Sequence, residues 1–437
     1  MQRTLTRRRF LKAGGGALAG AYVLGLAGCG GQEASSNGLE FWSFSPERVG
    51  FTDAVLQLDA WTSAYPNLQV NVRVLPFEEM HNKLLAALVS GHGAPDVVDI
   101  EVTKFGMFIK GGEIPLIGLK DRIGGDIEDV YQPAATDPWS WNGEIYGVSN
   151  ELNCTVMAYR TDVMEDAGVR VPFETWDEVI AAGEKVSTDE RKMFAIHDLS
   201  FGDWYMLTQH AGTSFFDESG EYNGDDPRSI EAMRFNHDLV HGHEIAGIAP
   251  AEANDNWAPP QYLAAFAAEK FVATWGPPWH LFFIMDGAPD QAGKWGVQKF
   301  PQGIGESRPT ANYGGTGQCI TEQCENVDAA FDLVRIANLT REGVLTDFER
   351  RTIYPAYRPA YDDPALSKPN EFYGGAKLGR IYAEIAPDLP PTYQSPVFPE
   401  ASEAIEREVI TPVMHDKKVA EAALVELRGT IEEMRQT

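Results

Sequence analysis

The sequence predicts an α/β protein in which strands and helices alternate along the chain. Residues 39–44 form an extended apolar run, and residues 68–74 alternate apolar with polar side chains as a strand does. Residues 77–90 have the apolar spacing of an amphipathic helix that ends at Gly91, and a third strand follows at 96–101. Because strand, helix, strand, helix and strand follow one another, we expect a right-handed parallel unit.

The ends of these strands are the first candidates for a binding site. In open parallel sheets, ligands lie beyond the carboxyl ends of the strands. The first predicted strand ends at Trp42 to Phe44, and the third ends at Glu101. We therefore predict that Trp42, Phe44 and Glu101 bind a ligand.

The middle of the chain repeats the pattern and indicates a second lobe. A strand is predicted at 155–159, and Thr175-Trp176-Asp177-Glu178 has the form of a capping box that opens the next helix. Two further runs, 294–300 and 351–357, have the character of extended crossings. We expect the chain to pass between the lobes three times.

Length and composition limit the classes of function. The 437 residues are 43% hydrophobic, which is enough to fill two cores. Beyond the first 28 residues there is no apolar run of 18 or more. The net charge of −28 disfavours nucleic acid or an anionic membrane as a partner, and it becomes −33 if the first 28 residues, with five basic and no acidic side chains, are removed. The charge favours a solvated acidic surface, and a high-salt habitat is the weaker alternative.

The N-terminus has the pattern of an export signal. Basic residues cluster in Thr6–Lys12, a small apolar stretch occupies 13–27, and Leu26-Ala27-Gly28-Cys29 closes the segment. The first part resembles a twin-arginine signal and the last part resembles a lipoprotein box. We predict a signal peptide at 1–28, lipidation of Cys29 and a flexible tether at 29–38. A signal anchor with a chance cysteine is the alternative.

Three other cysteines lie in the part of the chain predicted to be exported, outside a reducing cytoplasm. Cys319 and Cys324 are close enough in sequence to form a disulfide if the chain turns between them, and their spacing leaves that question open. Cys154 lies in an apolar run, which favours a buried small side chain over a nucleophile.

Several motifs together carry a family resemblance. They are Asn82–Leu88 with Ser90-Gly91 and Ala94–Val98; Tyr159–Asp162 with Ala167-Gly168 and Thr175–Glu178; and Gly314–Gly317 before a helix at 327–339. Through them, residues 39–345 resemble the bacterial family of extracellular solute-binding proteins that serves carbohydrate ABC importers. The combination of Met80–Leu84, Asp99–Glu101 and Gly314–Gly317 is similar to members that bind arabino-oligosaccharides or related oligosaccharides. Residues 273–279 depart from the family's usual order by an extra tryptophan, Trp275, and a second proline.

The resemblance implies a two-lobe, periplasmic-binding-protein-like α/β fold with a hinge and a ligand cleft between the lobes. The expected lobes are 39–151 plus 302–352, and 152–301 plus 353–437. It also implies a substrate-binding lipoprotein, outside the cytoplasm and held at the membrane only by its lipid, that captures a sugar. Its expected partners are ABC permease subunits with a cytoplasmic ATPase. We expect a monomer without catalytic activity, cofactor, metal or nucleic-acid partner.

A sugar needs flat aromatic surfaces for its C–H faces and polar partners for its hydroxyl groups. Several tryptophans of the second lobe lie beside Pro, Gly or polar residues and are predicted to bind the ligand, as is Trp42: they are Trp204, Trp257, Trp275 and Trp279. Trp279 matches the family's cleft tryptophan. For each of these residues, ordinary core packing is the alternative.

The predicted polar contacts come from Glu101, Glu151 and Arg358, for each of which a surface or structural charge is the alternative. Gly315, within Gly314–Gly317, is predicted to bring backbone N–H groups close to the ligand. The glycine run lacks the Lys-Ser or Lys-Thr that a phosphate-binding loop requires.

Other chemical signals are weaker. His237, His241 and His243 have spacing that allows metal binding near a helix end, but solvated histidines before Gly242 fit as well. The paired carboxylates Glu78-Glu79 and Asp362-Asp363 do not by themselves define a glycosidase. Two alternatives remain: the same fold binding a metal ion, a phosphate ester or a polyamine, and a surface-anchored carbohydrate-active enzyme.

Overall fold

A computed structural model describes residues 38–253, 257 and 259–436. Its strands are β1 Gly38–Ser43, β2 Gln69–Val74, β3 Val97–Glu101, β4 Ser140–Trp141, β5 Glu144–Ile145, β6 Gly147–Val148, β7 Val156–Arg160, β8 Phe194–Ile196, β9 Ala246–Ile248, β10 Ala273–Gly276, β11 Trp295–Gln298 and β12 Thr316–Ile320.

The helices are α1 Glu47–Val55, α2 Asp59–Ala64, α3 Phe77–Ser90, α4 Gly106–Ile109, α5 Lys120–Ile123, α6 Gln132–Ala135, α7 Thr161–Asp166, α8 Trp176–Val186, α9 Gly202–His210, α10 Pro227–His241, α11 Pro260–Ala267, α12 Pro278–Gly287, α13 Val327–Asn338, α14 Arg341–Arg351, α15 Leu378–Ile385, α16 Phe398–Ile405, α17 Thr411–Met414 and α18 Ala420–Gln436. A π-helical turn, Glu406–Ile410, joins α16 to α17.

The first lobe is built on a five-stranded sheet with the order β2-β1-β3-β12-β6. Strands β1 and β3 are parallel, as predicted, with Phe41 opposite Val97. Strand β12 comes from late in the chain and pairs antiparallel with both β3 and β6. The sheet is therefore completed only when the chain returns from the second lobe.

Helix α3 has the bounds that its pattern predicted. Met80, Leu84 and Leu88 are buried along one face, which is the spacing that an amphipathic helix requires. The helix ends where Gly91 adopts a left-handed conformation with φ 76° and its N–H bonds to Leu88 O at 3.2 Å.

The second lobe is built on β10-β7-β11, in which β7 is antiparallel to both neighbours, and on the parallel pair β8-β9. A parallel bridge between Lys192 and Phe271, and a bond from Ala273 N to Met193 O of 2.8 Å, join the two pieces. At the start of α8, Thr175 accepts the N–H of Glu178 at 3.2 Å, as the capping motif predicted.

One predicted crossing is wrong. Residues 294–300 do not pass between the lobes, because Trp295–Gln298 forms β11 and pairs with β7 inside the second sheet. The segments that lie side by side are 149–155, 310–312 and 352–356. Leu152 N bonds to Tyr354 O at 2.8 Å, and Thr155 N bonds to Ala311 O at 2.9 Å. An extended apolar run has the same local pattern in a crossing segment as in a strand of a sheet. Only the segment with which it pairs distinguishes the two. The exact lobe boundaries stay a prediction.

A single hydrophobic core runs through the crossing segments and along one face of each sheet. Strand β7 shows the division: Val156 and Ala158 point into this shared core together with Tyr354 of a crossing segment. Met157 and Tyr159 point to the opposite face and into a separate core of the second lobe. The shared core couples the two lobes at the crossings.

The predicted signal peptide at 1–28, the lipidation site Cys29 and the tether lie outside the described residues, apart from Gly38, which begins β1. Among the helices that the structure describes, none is both long enough and apolar enough to cross a bilayer.

Cys154, Cys319 and Cys324 are all buried and free. The disulfide left open between Cys319 and Cys324 is therefore absent from this structure. Cys154 lies in the shared core, and its burial raises the pKa of the thiol. It is a buried small side chain, as predicted.

A buried ion pair joins α1 to the first sheet, and we predict that it stabilises the fold. Arg48 and Asp99 are 2% and 0% exposed, with Nε and Oδ2 2.7 Å apart, and Ser43 Oγ donates to the same carboxylate oxygen at 2.5 Å. Substituting Arg48→Met leaves Asp99 buried without its cation, so we expect a loss of about 3–5 kcal/mol in the free energy of unfolding. Urea denaturation measures it. Lys299→Ala, which removes an exposed pair with Glu384, is the control and should change stability little. Equal losses in the two variants would contradict the assignment.

Candidate functional site

The end of β3 and the start of β12 lie side by side in the first sheet. Thr316 is opposite Glu101, and Val102 N bonds to Gly315 O at 3.0 Å. Glu101 and Gly315, which the sequence predicted separately, are therefore brought together.

A cluster of three aromatic rings lies next to this point. We call Trp257, Trp279 and Tyr313 the aromatic cluster. The ring centroids are 5.2 Å apart for Trp257 and Tyr313, and 6.1 Å apart for each of the other two pairs. Trp257 is buried, while Trp279 and Tyr313 keep part of their surface exposed. The cluster thus presents aromatic surface at the junction of the lobes.

Gly314 allows Trp279 to approach so closely. The residue has φ 74°, and a Cβ placed on it would lie 3.2 Å from Trp279 Nε1. Gly315 has φ 123°, and a Cβ there would lie 2.9 Å from Asn153 Nδ2. Both the backbone conformation and the close approach of side chains require glycine at these positions.

Glu101 is a half-buried residue whose carboxyl group has an altered acidity. Burial raises its pKa to about 7, although the hydroxyl and the backbone N–H of Thr103 donate to it and act in the opposite direction. The backbone N–H of Glu101 donates to His81 Nε2 at 3.2 Å. Burial lowers the pKa of His81 to about 4, so the imidazole is neutral and its Nδ1 donates to Phe77 O at 2.8 Å. Near neutral pH, Glu101 therefore exists both as acceptor and as donor.

Two tyrosines supply hydroxyl groups near Glu101. Burial raises the pKa of Tyr205 to about 12, and it raises that of Tyr313 well above its usual value, with the Glu101 carboxylate adding to both shifts. The Tyr205 and Tyr313 rings are 6.0 Å apart. Both phenols stay protonated over the physiological range and can donate hydrogen bonds.

Glu151 and Asn153 reach the same region from a crossing segment. Glu151 is buried, and burial raises its pKa, with the charges of Arg351 and Arg48 acting in the opposite direction. Asn153 Nδ2 donates to Glu151 Oε2 at 3.4 Å. Since Asn153 also lies against Gly315, these residues extend the polar side of the site.

Several buried polar atoms of the region have no hydrogen-bond partner within the described residues. Among them are Asn153 Oδ1, Trp257 Nε1 and Gln394 Oε1. Gln394 uses its other amide atom to donate to Val102 O at 2.9 Å, which places it beside Gly315. Because buried polar groups are normally satisfied, unpaired donors and acceptors next to aromatic surface are typical of a site that binds a polar ligand.

Polar contacts join the lobes outside the crossing segments as well. One is the hydrogen bond from Gln394 to Val102 O, and another is an ion pair of 2.7 Å between Lys110, just after α4, and Glu400 of α16. Helix α4 belongs to the first lobe, whereas Phe398 and Ala401 of α16 pack in the core of the second. These contacts therefore join residues of the two lobes that are distant in sequence.

The other predicted residues lie elsewhere. Trp204 is fully buried, with Nε1 donating to Ser229 O at 3.1 Å, and Trp275 packs edge-on to Trp176 at 5.9 Å. Both pack in the core of the second lobe. Arg358 is exposed and donates to the backbone carbonyl of Glu128.

Trp42 and Phe44 lie in the first lobe. Trp42 is buried, with Lys83 Nζ 5.0 Å from its ring centroid. Phe44 packs on His81 with centroids 5.5 Å apart, and His81 in turn binds the backbone of Glu101. Phe44 therefore supports Glu101 through one intermediate residue.

Four residues of the site were missed by reasoning from sequence: Tyr205, Tyr313, Asn153 and Gln394. Tyr313 directly precedes Gly314, and Asn153 is close to Glu151, so the neighbouring motifs signalled both. Tyr205 on α9 and Gln394 in a loop have no local signal, because only folding brings them to the cleft.

A two-lobed α/β fold with aromatic side chains and unpaired polar atoms where the lobes meet is typical of the class of solute-binding proteins. Comparison with known proteins agrees with this class. The family model described as bacterial extracellular solute-binding protein matches residues 48–340. The chain belongs to this family.

Individual relatives extend over most of the chain. An arabinooligosaccharide-binding protein of Halalkalibacterium halodurans is 28% identical over 90% of this chain and 88% of its own length. A protein of the same name from Bacillus subtilis is 25% identical, with coverages of 94% and 96%.

Solved structures confirm the predicted fold class. The GacH receptor of Streptomyces glaucescens superimposes with a TM-score of 0.74 at 19% identity, covering 91% of this chain and 97% of its own. The ABC transporter associated binding protein from B. animalis subsp. lactis gives 0.75 at 19% identity, with coverages of 90% and 96%.

The raised pKa of Glu101 predicts a pH-dependent stability effect. The folded protein holds the proton up to about pH 7, whereas an exposed glutamate loses it near 4.5, so ionisation destabilises the fold as the pH rises between these values. Glu101→Gln removes this effect and should stabilise the protein at pH 8 by on the order of 1–3 kcal/mol, with no such gain at pH 4. Melting temperatures from pH 4 to 8 test it, with Glu113→Gln, at an exposed position, as the control. A gain independent of pH would contradict the prediction.

Proposed function

We propose that this protein captures a sugar, specifically an oligosaccharide, between its lobes and delivers it to the permease subunits of an ABC importer with a cytoplasmic ATPase. The observation that carries the proposal is the aromatic cluster beside Glu101, at a place where segments of both lobes meet. The names of the H. halodurans and B. subtilis relatives support arabino-oligosaccharides as the first class to test.

The chemistry of the site suits a polyhydroxy ligand. Trp279 and Tyr313 offer ring faces for the apolar C–H side of a sugar ring. Glu101 and the unpaired atoms Asn153 Oδ1 and Gln394 Oε1 offer partners for hydroxyl groups. A carboxyl with a pKa of about 7 can accept or donate, which suits hydroxyls that do both.

We assign ligand contact to the residues that the fold brings together. They are Glu101, Glu151, Asn153, Tyr205, Trp257, Trp279, Tyr313, Gly315 and Gln394. Trp42, Phe44, Trp204, Trp275 and Arg358 stay predictions from the sequence. The positions of the four aromatic residues support packing roles instead, and Arg358 is exposed and donates to the backbone carbonyl of Glu128.

The mechanism follows from the two lobes. A ligand that contacts both lobes binds the closed form more tightly than the open form and so shifts the population towards closure. Lys110 with Glu400, and Gln394 with Val102, are contacts between lobes that opening would break. The permease would then distinguish the closed, loaded protein from the open one. This role requires no catalytic step, and we propose a monomer that binds without reaction.

The first test is a thermal-shift screen against arabino-, xylo-, malto- and galacto-oligosaccharides, since a ligand that binds only the folded state raises its melting temperature. We expect a shift with the arabino series. Trp279→Ala should then weaken binding by about 1 kcal/mol or more in calorimetry, because one aromatic platform is lost. Trp141→Ala is the matched control, since Trp141 is also partly exposed but lies on the β4–β5 hairpin outside the aromatic cluster.

Three results would contradict the proposal. A shift with a metal ion, a phosphate ester or a polyamine and none with any sugar would indicate a different solute. Hydrolysis of the bound oligosaccharide by the pure protein would indicate an enzyme. Equal affinity of Trp279→Ala and the unsubstituted protein would remove Trp279 from the site.

We further propose that the protein is exported through its first 28 residues and anchored outside the cytoplasm by lipid on Cys29. Cys29→Ser should abolish incorporation of labelled fatty acid and release the protein from the membrane fraction. Cys154→Ser, at a buried position, should leave labelling unchanged. Labelling that persists in Cys29→Ser would contradict the anchor.

A further inference from the structure

Three side chains that can bind metal converge on the surface of the second lobe, at the end of α10. His237 and His241 are one helical turn apart, with ring centroids 4.6 Å apart, and Asp416 comes from the turn after α17. One ligand atom from each of the three residues lies within 4.8 Å of the other two. Their side chains are 22%, 34% and 67% exposed, so the group is accessible from solvent.

Each imidazole already has one nitrogen bound to an acceptor of the protein. His237 Nδ1 lies 3.0 Å from Asp238 Oδ1, and His241 Nε2 lies 2.8 Å from the backbone oxygen of Met414. This is the arrangement found around histidine ligands of metals, where a carboxylate or carbonyl accepts one N–H and thereby fixes the tautomer and the ring orientation.

The remaining nitrogen of each ring faces the same carboxylate. His237 Nε2 is 2.9 Å from Asp416 Oδ1, and His241 Nδ1 is 3.8 Å from Oδ2. Asp416 has φ 56°, a left-handed conformation that is uncommon for a residue other than glycine. One nitrogen from each imidazole and the Asp416 carboxylate therefore converge on one point.

We propose that His237, His241 and Asp416 bind one divalent transition-metal ion, of which Zn²⁺ is the representative. Imidazole with carboxylate suits zinc, copper and nickel, whereas calcium and magnesium prefer oxygen ligands alone. Zinc–ligand distances of about 2.0–2.2 Å place neighbouring ligand atoms roughly 3.4 Å apart in a tetrahedron, so small side-chain rotations close the site. Water completes the coordination.

The structure changes the ligand set that the sequence suggested. The sequence pointed to His237, His241 and His243 as a possible group, but α10 ends at His241 and the chain turns at Gly242. Asp416, distant in sequence, takes the third position, and His243 is not part of the group.

Nearby positive charges are largely paired with other carboxylates. Lys418 binds Glu426 at 2.7 Å, and Arg234 binds Glu421 at 2.8 Å. A bound ion would tie the end of α10 to the connection between α17 and α18. Since this position is on the second lobe's surface and uses none of the residues assigned to sugar contact, the ion would stabilise the lobe rather than bind the sugar.

Titration calorimetry with ZnCl₂ tests the site on the whole protein, purified without a histidine tag and freed of metal with EDTA. We expect one ion per chain. His237→Ala, His241→Ala and Asp416→Asn should each weaken binding at least about tenfold, as the loss of a ligand does. His243→Ala, at the same helix end, is the matched control and should bind as the unsubstituted protein does.

A second measurement guards against variants that fail to fold. Saturating Zn²⁺ should raise the melting temperature of the unsubstituted protein and of His243→Ala, while Ca²⁺ should not. Asp238→Asn keeps all three ligands and should fold normally, with weaker zinc binding because His237 loses its orienting carboxylate. Unchanged zinc affinity in His237→Ala and Asp416→Asn, or an equal loss in His243→Ala, would overturn the proposal.

Discussion

The antiparallel pairing of β12 with β3 is the constraint on which the rest of this structure depends. It places a strand from residue 316 onward beside one that ends at residue 101, between β3 and β6 of the first sheet. Along the chain, most of the second lobe therefore lies between the two parts of the first lobe. The same pairing sets Gly315 beside Val102 and leads the chain from Tyr313 directly into the sheet. The binding region is therefore a consequence of how the first sheet closes.

Two glycines and one buried ion pair fix the local geometry around the candidate site. Gly314 and Gly315 adopt positive φ values and leave room for Trp279 and Asn153, which belong to other parts of the chain. A side chain at position 314 would press against Trp279, and one at position 315 would collide with Asn153. Within β3, Asp99 is held by Arg48 and Ser43, which anchors α1 to the sheet that presents Glu101. The site thus rests on elements that are themselves rigidly held.

The two lobes are joined in a way that suits opening and closing. The shared core at the crossing segments is continuous and apolar, so it keeps the lobes together in any state. Contacts outside these segments include the polar ones between Lys110 and Glu400 and between Gln394 and Val102, and the close approach of Gly106 to Pro399. Exposed ion pairs and single hydrogen bonds contribute little free energy each, typically about 1 kcal/mol or less. A ligand that spans both lobes can therefore control their closure.

Local pattern was sufficient for most elements and for part of the site. The amphipathic spacing and Gly91 predicted α3 with its correct bounds, because the burial of one face and a left-handed end are local properties. The general rule about strand ends predicted Glu101 as a ligand contact and a short motif predicted Gly315, and the fold places the two side by side. Trp204 and Trp275 show the limit: beside polar and glycine neighbours they have the same local pattern as Trp279, yet they pack in the core.

By itself, the sequence determined the α/β class, the family resemblance and the alternation of elements in the first lobe. These depend on hydrophobic periodicity and short motifs, which neighbouring residues specify. Only the tertiary structure decided that Trp295–Gln298 forms a strand of the second sheet, that Tyr205 and Tyr313 lie near Glu101, and that Asp416 joins His237 and His241. Each of these depends on contacts between residues far apart in the chain, and side-chain spacing along the chain contains no information about which distant segment will pack against it.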